Sequence, residues 1–437
     1  MRKKLHFISL GCVKNLVDSE VMLGRLKDYE MSALEDADVI LVNTCGFIEA
    51  AKTESLQTLF DAIKRRKKGA LLVASGCLSE RYKEQLQREI PEIDIITGVG
   101  DYDKIDAMIA QKKGFLSRHV FLADDTNERV ISNASIHAYV KISEGCNQHC
   151  SFCAIPSFKG RLQSRTLDSV LAEVRNLATR GYVDISFVAQ DSSSYLYDKH
   201  ERDGLCQLIR ALDSVPNLRS ARILYLYPSS TNAELIETIA RSKVVQNYFD
   251  MPIQHIADSM LKTMRRGSDA ASHKELLNLM RAVPGSFVRT SLIVGHPEES
   301  EAEFETLLAF LEDFAFDRVN IFAYSDEEGT KAAKSKHKVA PELVHSRIER
   351  LNAVVAKHHK AQLQRLVGRE IPIVLDTAQR EYEALLRARD MRCAPEIDGE
   401  ILINESLLAT TPTSGFYRAR ICEVVGDDLL ATLVAPL

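Results

Sequence analysis

The sequence predicts an α/β protein with three parts: an N-terminal parallel-sheet α/β domain, a central partial (βα) barrel and a small C-terminal all-β domain. Through residues 1–367, short apolar runs alternate with helix-length runs, which is the pattern of parallel sheets. The remaining residues contain β-rich runs and a hairpin turn. With 437 residues, 45% of them hydrophobic, the chain is long enough for two to four domains that each bury a core.

The first segment, residues 1–120, predicts a parallel sheet. Apolar runs at 5–10, 39–42 and 71–74 alternate with helical stretches at 18–29, 49–67 and 79–89. A cysteine follows each apolar run within a few residues: Cys12, Cys45 and Cys77. Because ligands of an open parallel sheet bind outside the carboxyl ends of its strands, we expect these cysteines to converge at one edge. One such cysteine is usually a small buried hydrophobe, but three at equivalent positions favour the ligands of an iron–sulfur cluster with one open iron.

The middle segment, residues 134–367, predicts six βα units. Strands are expected at 138–142, 183–189, 221–226, 247–251, 287–294 and 318–322, separated by helix-length runs. A long polar helix at 341–366 closes the segment. This arrangement suits a partial barrel whose active site lies at the carboxyl ends of the strands.

Three cysteines follow the first of these strands in the spacing C-x3-C-x2-C, at Cys146, Cys150 and Cys153. Three thiolates can hold one 4Fe-4S cluster, whereas a cluster that only carries electrons normally has four, so one iron is left open. An open iron can chelate the amino and carboxylate groups of S-adenosylmethionine (SAM). The alternative is zinc, with His149 or a distant residue as fourth ligand. His149 is adjacent to Cys150 and would have difficulty turning to the same metal.

The last segment, residues 370–437, predicts five strands, at 371–375, 382–389, 400–403, 416–425 and 429–434. The turn at 426–428 joins the last two as a hairpin, so we expect a small five-stranded barrel or sheet. From residue 371 onwards there are eleven acids, six arginines and no lysine, which gives this segment a charge of -5. The other residues balance at 50 basic against 50 acidic side chains.

The start of the chain resembles a signal peptide, but its apolar stretch is short and contains His6. No apolar run approaches the roughly 20 residues of a membrane helix. Nine cysteines without an export signal favour a reducing compartment, where thiols bind metal or do chemistry more often than they pair. We therefore expect a cytoplasmic protein that does not bind a membrane.

Across almost its whole length the chain resembles the methylthiotransferases of the radical-SAM superfamily. Four stretches carry the resemblance: residues 11–20 (GCVKNLVDSE), 42–48 (VNTCGFI), 141–147 (KISEGCN) and 155–160 (IPSFKG). Two more, 250–255 (DMPIQH) and 394–399 (APEIDG), look most like the branch that modifies an aspartate β-carbon in small-subunit ribosomal protein number twelve.

The resemblance implies an N-terminal methylthiotransferase domain at 1–120, a radical-SAM core at 134–367 and a TRAM domain at 370–437. It implies two 4Fe-4S clusters: Cys146, Cys150 and Cys153 hold the one that cleaves SAM, and Cys12, Cys45 and Cys77 the one that donates sulfur. SAM then serves as methyl donor and as radical source. No catalytic residue is implied beyond these ligands.

Two further residues are candidates for the SAM pocket. Gln190 ends a predicted core strand. Gly295 follows another, in the run GHPEES at 295–300, where the family usually reads GFPGET. The missing second glycine makes the usual turn less certain, and an ordinary turn between strand and helix is the alternative.

Two other functions remain open. A tRNA adenosine methylthiotransferase would share all six cysteines, but a lysine-free acidic tail fits a basic ribosomal protein better than a phosphate backbone, so direct nucleic-acid binding is disfavoured. A non-catalytic iron–sulfur carrier would not require an open iron on each cluster. We expect an external electron donor of the flavodoxin or ferredoxin type. Three acids of the tail are candidates for substrate contact: Glu396, Asp398 and Glu400.

Overall fold

The computed structural model describes residues 2–115, 117, 119–132, 135–377 and 385–437. Three parts of the sequence predictions lie outside these residues: the boundaries at 1 and 134, and positions 382–384 of the second predicted tail strand. In the described part of the chain, no helix has the length and apolar character needed to cross a bilayer.

The N-terminal domain is the predicted parallel sheet with helices on both faces. Its strands are β1 (Lys4–Ser9), β2 (Glu30–Met31), β3 (Val39–Thr44), β4 (Leu71–Gly76) and β5 (Ile95–Ile96). Its helices are α1 (Val13–Arg25), α2 (Glu49–Arg65), α3 (Cys77–Glu89) and α4 (Ile105–Gln111). The strand order is β2-β1-β3-β4-β5, and every pairing is parallel.

Strand β3 shows why the strands of this sheet are continuous apolar runs in the sequence. Val39 and Leu41 pack into one core, and Ile40 and Val42 pack into a second core on the opposite face. All six residues of β3 are buried. Successive side chains of a strand point to opposite faces, so both faces of the sheet are covered and the carboxyl ends of the strands are left as the accessible edge.

The central domain is a partial barrel of six parallel strands in sequence order. Its strands are β6 (His137–Lys141), β9 (Asp184–Val188), β10 (Ser220–Ile223), β11 (Tyr248–Asp250), β12 (Phe287–Val294) and β13 (Arg318–Ala323). They form two three-stranded sheets, which a parallel bridge between Ala221 and Val245 connects. A small antiparallel pair, β7 (Ser143–Glu144) with β8 (Gln163–Ser164), flanks the cysteine loop. The predicted partial barrel is confirmed.

Helices surround the barrel and bury its outer face in one large core. They are α5 (Ile155–Lys159), α6 (Leu167–Thr179), α7 (Gly204–Leu212), α8 (Ala233–Arg241), α9 (Asp258–Met264), α10 (Ala270–Ala282), α11 (Glu301–Asp313) and α12 (Pro341–Leu366). Helix α12 has the predicted bounds. Its Pro341 is at the first helical position, where the absent N–H costs nothing.

The C-terminal domain is a closed barrel of five strands. They are β14 (Glu370–Thr377), β15 (Leu386–Asp390), β16 (Ile401–Ser406), β17 (Gly415–Val425) and β18 (Asp428–Pro436), in the order β14-β15-β16-β18-β17. The predicted hairpin joins β17 to β18: Val425 pairs with Asp428, and Gly426 takes a positive φ of 63° in the turn. Pairing of β14 with β17 closes the barrel.

The inner face of the partial barrel is polar, and a loop of the C-terminal domain fills it. Arg222 on β10 pairs with Asp184 at 2.6 Å and donates to the carbonyl groups of Met391 and Arg392, both at 3.0 Å. Residues 391–398, which we call the plug, thus lie against the strands on the inner face of the barrel. Cys393, in the plug, is buried in a cluster with side chains of β6, β9, β11 and β12.

Asp398 corrects one sequence-based prediction. It was expected on the surface as a substrate contact, but only 7% of the residue is exposed. Its carboxylate accepts hydrogen bonds from the Tyr248 hydroxyl and the Ala394 N–H, both at 2.9 Å, and pairs with Arg289 at 3.2 Å. Asp398 therefore fixes the plug in the barrel and is not free to meet a substrate.

The other two acids of that group remain accessible. Glu396 is exposed, and the partly exposed Glu400 carboxylate lies 3.4 Å from Arg387. Periodicity could not separate Asp398 from its neighbours, because the residues that bury it come from β11 and β12, more than a hundred positions away.

Replacing Asp398 with alanine is expected to lower the free energy of unfolding by about 3 kcal/mol, because it leaves the buried Arg289 without one of its partners. Denaturant titration of the variant measures this loss. The matched control is Glu396→Ala, two positions away and exposed, which should shift stability by less than about 0.5 kcal/mol. Equal stability of the two variants would contradict the structural role of Asp398.

Candidate active site between the N-terminal sheet and the barrel

The cysteine loop of the central domain lies between β7 and α5, at the carboxyl end of the first barrel strand. Cys146, Cys150 and Cys153 are all half-buried. Backbone hydrogen bonds hold the loop: the Cys146 N–H donates to Gly160 at 3.1 Å, and the Cys153 N–H to Cys150 at 3.2 Å. The structure therefore places the three thiols on one short, tightly held turn.

Polar groups from the segments that follow β10 and α9 contact Cys150. Its sulfur lies 3.4 Å from the Tyr227 hydroxyl and 3.3 Å from a guanidinium nitrogen of Arg266. The Arg266 guanidinium also stacks on the Tyr227 ring, at 4.1 Å from the centroid.

Burial raises the pKa of both Cys146 and Cys153 to about 12. Thiols with such a pKa stay protonated at neutral pH unless a cation replaces the proton, and metal binding does so. Three soft sulfur donors on one turn therefore fit an iron–sulfur cluster chemically.

The N-terminal cysteines meet at the predicted edge of the sheet. Cys12 caps α1, Cys45 follows β3, and Cys77 begins α3. A Cβ added to Gly11 would lie only 2.9 Å from the Cys45 sulfur. The side chain of Asn15 links the group, since its amide donates to the Thr44 carbonyl at 3.3 Å and its oxygen lies 3.7 Å from the Cys77 sulfur.

The three N-terminal thiols have different electrostatic environments. Burial raises the pKa of Cys77 to about 12 and also raises that of Cys45. Burial acts in the same direction on Cys12, but the Lys14 ammonium and the N–H of Asn15 outweigh it and lower the pKa. Cys12 is thus the most readily ionised thiol of its set, and it is also the exposed one, whereas Cys45 and Cys77 are buried.

The donor geometry bears on the zinc alternative. In the described part of the chain, no three His, Cys, Asp or Glu side chains are arranged to hold a metal ion. Zinc needs its ligands within about 2.3 Å of one point, whereas a 4Fe-4S cluster binds each thiolate to a separate iron and holds the sulfurs farther apart. His149 is exposed. The assignment of both cysteine sets to iron–sulfur clusters stays a prediction.

A buried charge network joins the two sets. Lys141 on β6 contacts Asp18 of α1 at 2.5 Å and Glu144 at 2.6 Å, and Lys159 lies 3.4 Å from Glu144. All four side chains are at most 4% exposed. Burial raises the pKa of Glu144, but the two ammonium groups outweigh this and lower it to about 2. The network fixes α1, and with it Cys12, against the barrel.

Gln190 joins this network. Its amide donates a short hydrogen bond to Glu144, and its own oxygen is buried without a hydrogen-bond partner among the described residues. An unsatisfied buried acceptor is costly, so this oxygen fits a hydrogen bond from a ligand donor. Contact with SAM stays a prediction for this residue.

Gly295 has a packing role that explains the glycine. It has a φ of 80°, and a Cβ there would lie 2.3 Å from a methyl of Val344 on α12. Its N–H donates to Glu299 at 2.6 Å. These contacts account for glycine at this turn without SAM, and its place in the SAM pocket stays a prediction as well.

Several residues of this region were not predicted from the sequence. Lys14, Glu144 and Lys159 lie inside stretches that carry the family resemblance, but nothing in their spacing indicated that they meet. His296 was noted only as part of an unusual turn, and its ring lies 3.1 Å from the Ser151 hydroxyl within the cysteine loop. For Lys14, Glu144 and Lys159, their position in stretches that carry the resemblance was the available signal.

Three protein-family models match the chain. Residues 4–98 match "Uncharacterized protein family UPF0004", residues 140–311 match the radical SAM superfamily, and residues 367–434 match the TRAM domain. A curated relative from Wolinella succinogenes, named ribosomal protein uS12 methylthiotransferase RimO, is 65% identical over 434 residues and 99% of both chains. The chain belongs to the RimO family. This confirms the methylthiotransferase resemblance.

Other comparisons agree with membership of the RimO family. A Helicobacter pylori relative of the same name is 58% identical over 435 residues, 99% of this chain and 98% of its own. Among solved structures, the radical SAM methyltransferase TsrM from Kitasatospora setae aligns with a TM-score of 0.57 at 14% identity, over 82% of this chain and 90% of its own. At that identity the likeness concerns the fold, so this RimO-family chain shares its architecture with a radical SAM enzyme.

Proposed function

We propose that the protein is a radical-SAM transferase that adds a methylthio group to the β-carbon of an aspartate in ribosomal protein uS12. One observation carries the proposal: a single strand-end segment of the barrel touches both cysteine regions. Tyr227 contacts Cys150, and Lys14, two residues from Cys12, lies 3.8 Å above the Tyr225 ring. Residues 225–227 thus contact both cysteine regions, and we infer that a substrate carbon bound beside this segment can face both sites.

Each cysteine set would hold one 4Fe-4S cluster. When bound, the cluster at Cys146, Cys150 and Cys153 supplies the electron that cleaves SAM to a 5'-deoxyadenosyl radical, and the one at Cys12, Cys45 and Cys77 supplies the sulfur. Family membership supports SAM and the first cluster. The convergence of three thiols at the sheet edge supports the second.

The protein's own residues orient and shield this chemistry. Arg266 and Tyr227 cover Cys150, and the buried oxygen of Gln190 is available to a hydrogen-bond donor of SAM. The Asp18–Lys141–Glu144–Lys159 network keeps the two sites in a fixed relation, because breaking a buried pair of this kind costs several kcal/mol.

The substrate assignment follows the relatives, which are named for uS12 at 58–65% identity over nearly the whole chain. The charge of -5 after residue 370 suits a basic protein, although part of it is neutralised internally, as at Asp398. An external reductant of the flavodoxin or ferredoxin type would supply electrons. Such a substrate and nine cysteines fit a reducing cytoplasm.

Anaerobically reconstituted protein, given SAM, a reductant and uS12, is expected to add one methylthio group to an aspartate of uS12. Mass spectrometry of the digested product locates the modification. The same mixture with tRNA in place of uS12 is the control and should give no methylthioadenosine. Modification of tRNA adenosine with unmodified uS12 would overturn the substrate and favour the tRNA enzyme.

A further inference from the structure

Lys14 occupies an unusual place for a lysine. It is the second residue of α1, two positions after Cys12, and it reaches out of the N-terminal domain to the barrel. Its ammonium lies 3.8 Å from the centroid of the Tyr225 ring, which is within range of a cation–π interaction. The residue as a whole is half-buried.

Among the described residues, Lys14 forms no ion pair: no carboxylate oxygen lies within 4.0 Å of its ammonium. The neighbouring carboxylates are already engaged, Glu144 by Lys141 at 2.6 Å and Asp250 by Arg289 at 2.9 Å. A ring face accepts no conventional hydrogen bond, and a lysine ammonium has three donors. The Lys14 ammonium is therefore a positive charge fixed in position, with hydrogen-bond donors that can bind a ligand.

The Tyr225 platform is itself held in place. Tyr225 has a φ of 65°, which is strained for an aromatic residue, and hydrogen bonds secure both sides of its peptide. Its N–H donates to Asp250 at 3.1 Å, and its carbonyl accepts from the Ser192 N–H at 2.9 Å. Because Arg289 ties Asp250 to Asp398 of the plug, the whole assembly is a rigid support for Lys14.

We propose that the Lys14 ammonium binds the side-chain carboxylate of the target aspartate. This inference rests on the proposed function and names the residue that selects its substrate. In aspartate the carboxylate is bonded directly to the β-carbon, so a carboxylate held at Lys14 keeps that carbon beside Cys12. Ammonium–carboxylate hydrogen bonds are among the stronger ones, and the N-terminus of α1 adds positive potential at the same place.

A binding cycle tests the role of Lys14. Reconstituted wild-type protein and a Lys14→Gln variant are each titrated, with SAM present, against uS12 and against uS12 whose target aspartate is changed to asparagine. The wild type is expected to bind the aspartate form about ten- to hundredfold more tightly, and Lys14→Gln to lose that preference. A Lys14→Arg variant, which keeps the charge, should retain most of it.

The matched control is Lys27→Gln, which removes one positive charge from the same domain at a surface pair with Glu128. It should keep the wild-type preference. Iron counts verify that each variant holds its clusters. Equal binding of the two uS12 forms by the wild type overturns the inference without any variant, and so does an unchanged preference in Lys14→Gln. The proposed function has a separate readout: it fails if the wild type modifies no aspartate of uS12. The failure of the inference and the failure of the proposed function are therefore distinguishable.

Discussion

Replacing Cys150 with alanine is expected to abolish reductive cleavage of SAM. The cluster that the cysteine loop would hold depends on three thiolates, and Cys150 is the one whose sulfur contacts both Arg266 and Tyr227. With only two thiolates on the turn, the site cannot retain an intact cluster. The measurement is 5'-deoxyadenosine formed by the anaerobically reconstituted variant, with dithionite as reductant.

Cys206→Ala is the matched control for Cys150→Ala. Cys206 is a buried cysteine of the same domain that packs in the outer core, so its loss removes a thiol without touching the loop. This control should cleave SAM at the wild-type rate and keep the wild-type iron content, which is expected to be about eight per chain for two 4Fe-4S clusters. Wild-type 5'-deoxyadenosine formation by Cys150→Ala would show that the cysteine loop is not the SAM-cleaving site.

The second large effect is a separation of the two half-reactions. A variant carrying Cys12→Ala, Cys45→Ala and Cys77→Ala is expected to keep about four irons and to cleave SAM, yet to transfer no methylthio group to uS12. The reason is spatial: the three thiols meet around Asn15 at the edge of the N-terminal sheet, while the cysteine loop lies on the barrel. Iron content, 5'-deoxyadenosine and modified uS12 are measured on one sample.

The chain offers a control with the same number of cysteines removed. Cys206, Cys393 and Cys422 belong to neither set, and their joint replacement by alanine should leave both iron content and transfer intact. Cys393 is buried in the plug contact, so stability is measured alongside. Methylthiolated uS12 from the first triple variant would exclude a sulfur-donating role for the N-terminal set.

Much of the fold could be predicted because the signals are local. Hydrophobic runs and the spacing of helical stretches predicted all three parts of the fold. The bounds of α12 agree with the prediction. The edge strands β2 and β5 were missed, since each is two residues long and has no period to detect.

The cysteines of the candidate site could be predicted from the sequence, whereas its buried charged residues were missed. A cysteine after each of three parallel strands is a pattern that topology alone turns into proximity, so Cys12, Cys45 and Cys77 could be grouped from the sequence. Lys141 and Asp18 are 123 positions apart, and no local pattern indicates that they form an ion pair. Charged residues predict solvent exposure by default, which is why the buried network was not anticipated.

The sequence by itself determined the order of elements and the two sets of three thiols, because these depend on periodicity and spacing along the chain, and it determined the family through stretches of residues that resemble known relatives. Only the tertiary structure decided that Asp398 lies inside the barrel and that Lys14 rests on Tyr225. Whether a charged side chain is buried, and against which partner, depends on segments from distant parts of the chain. Their meeting is set by the packing of the three domains, which a one-dimensional pattern does not contain.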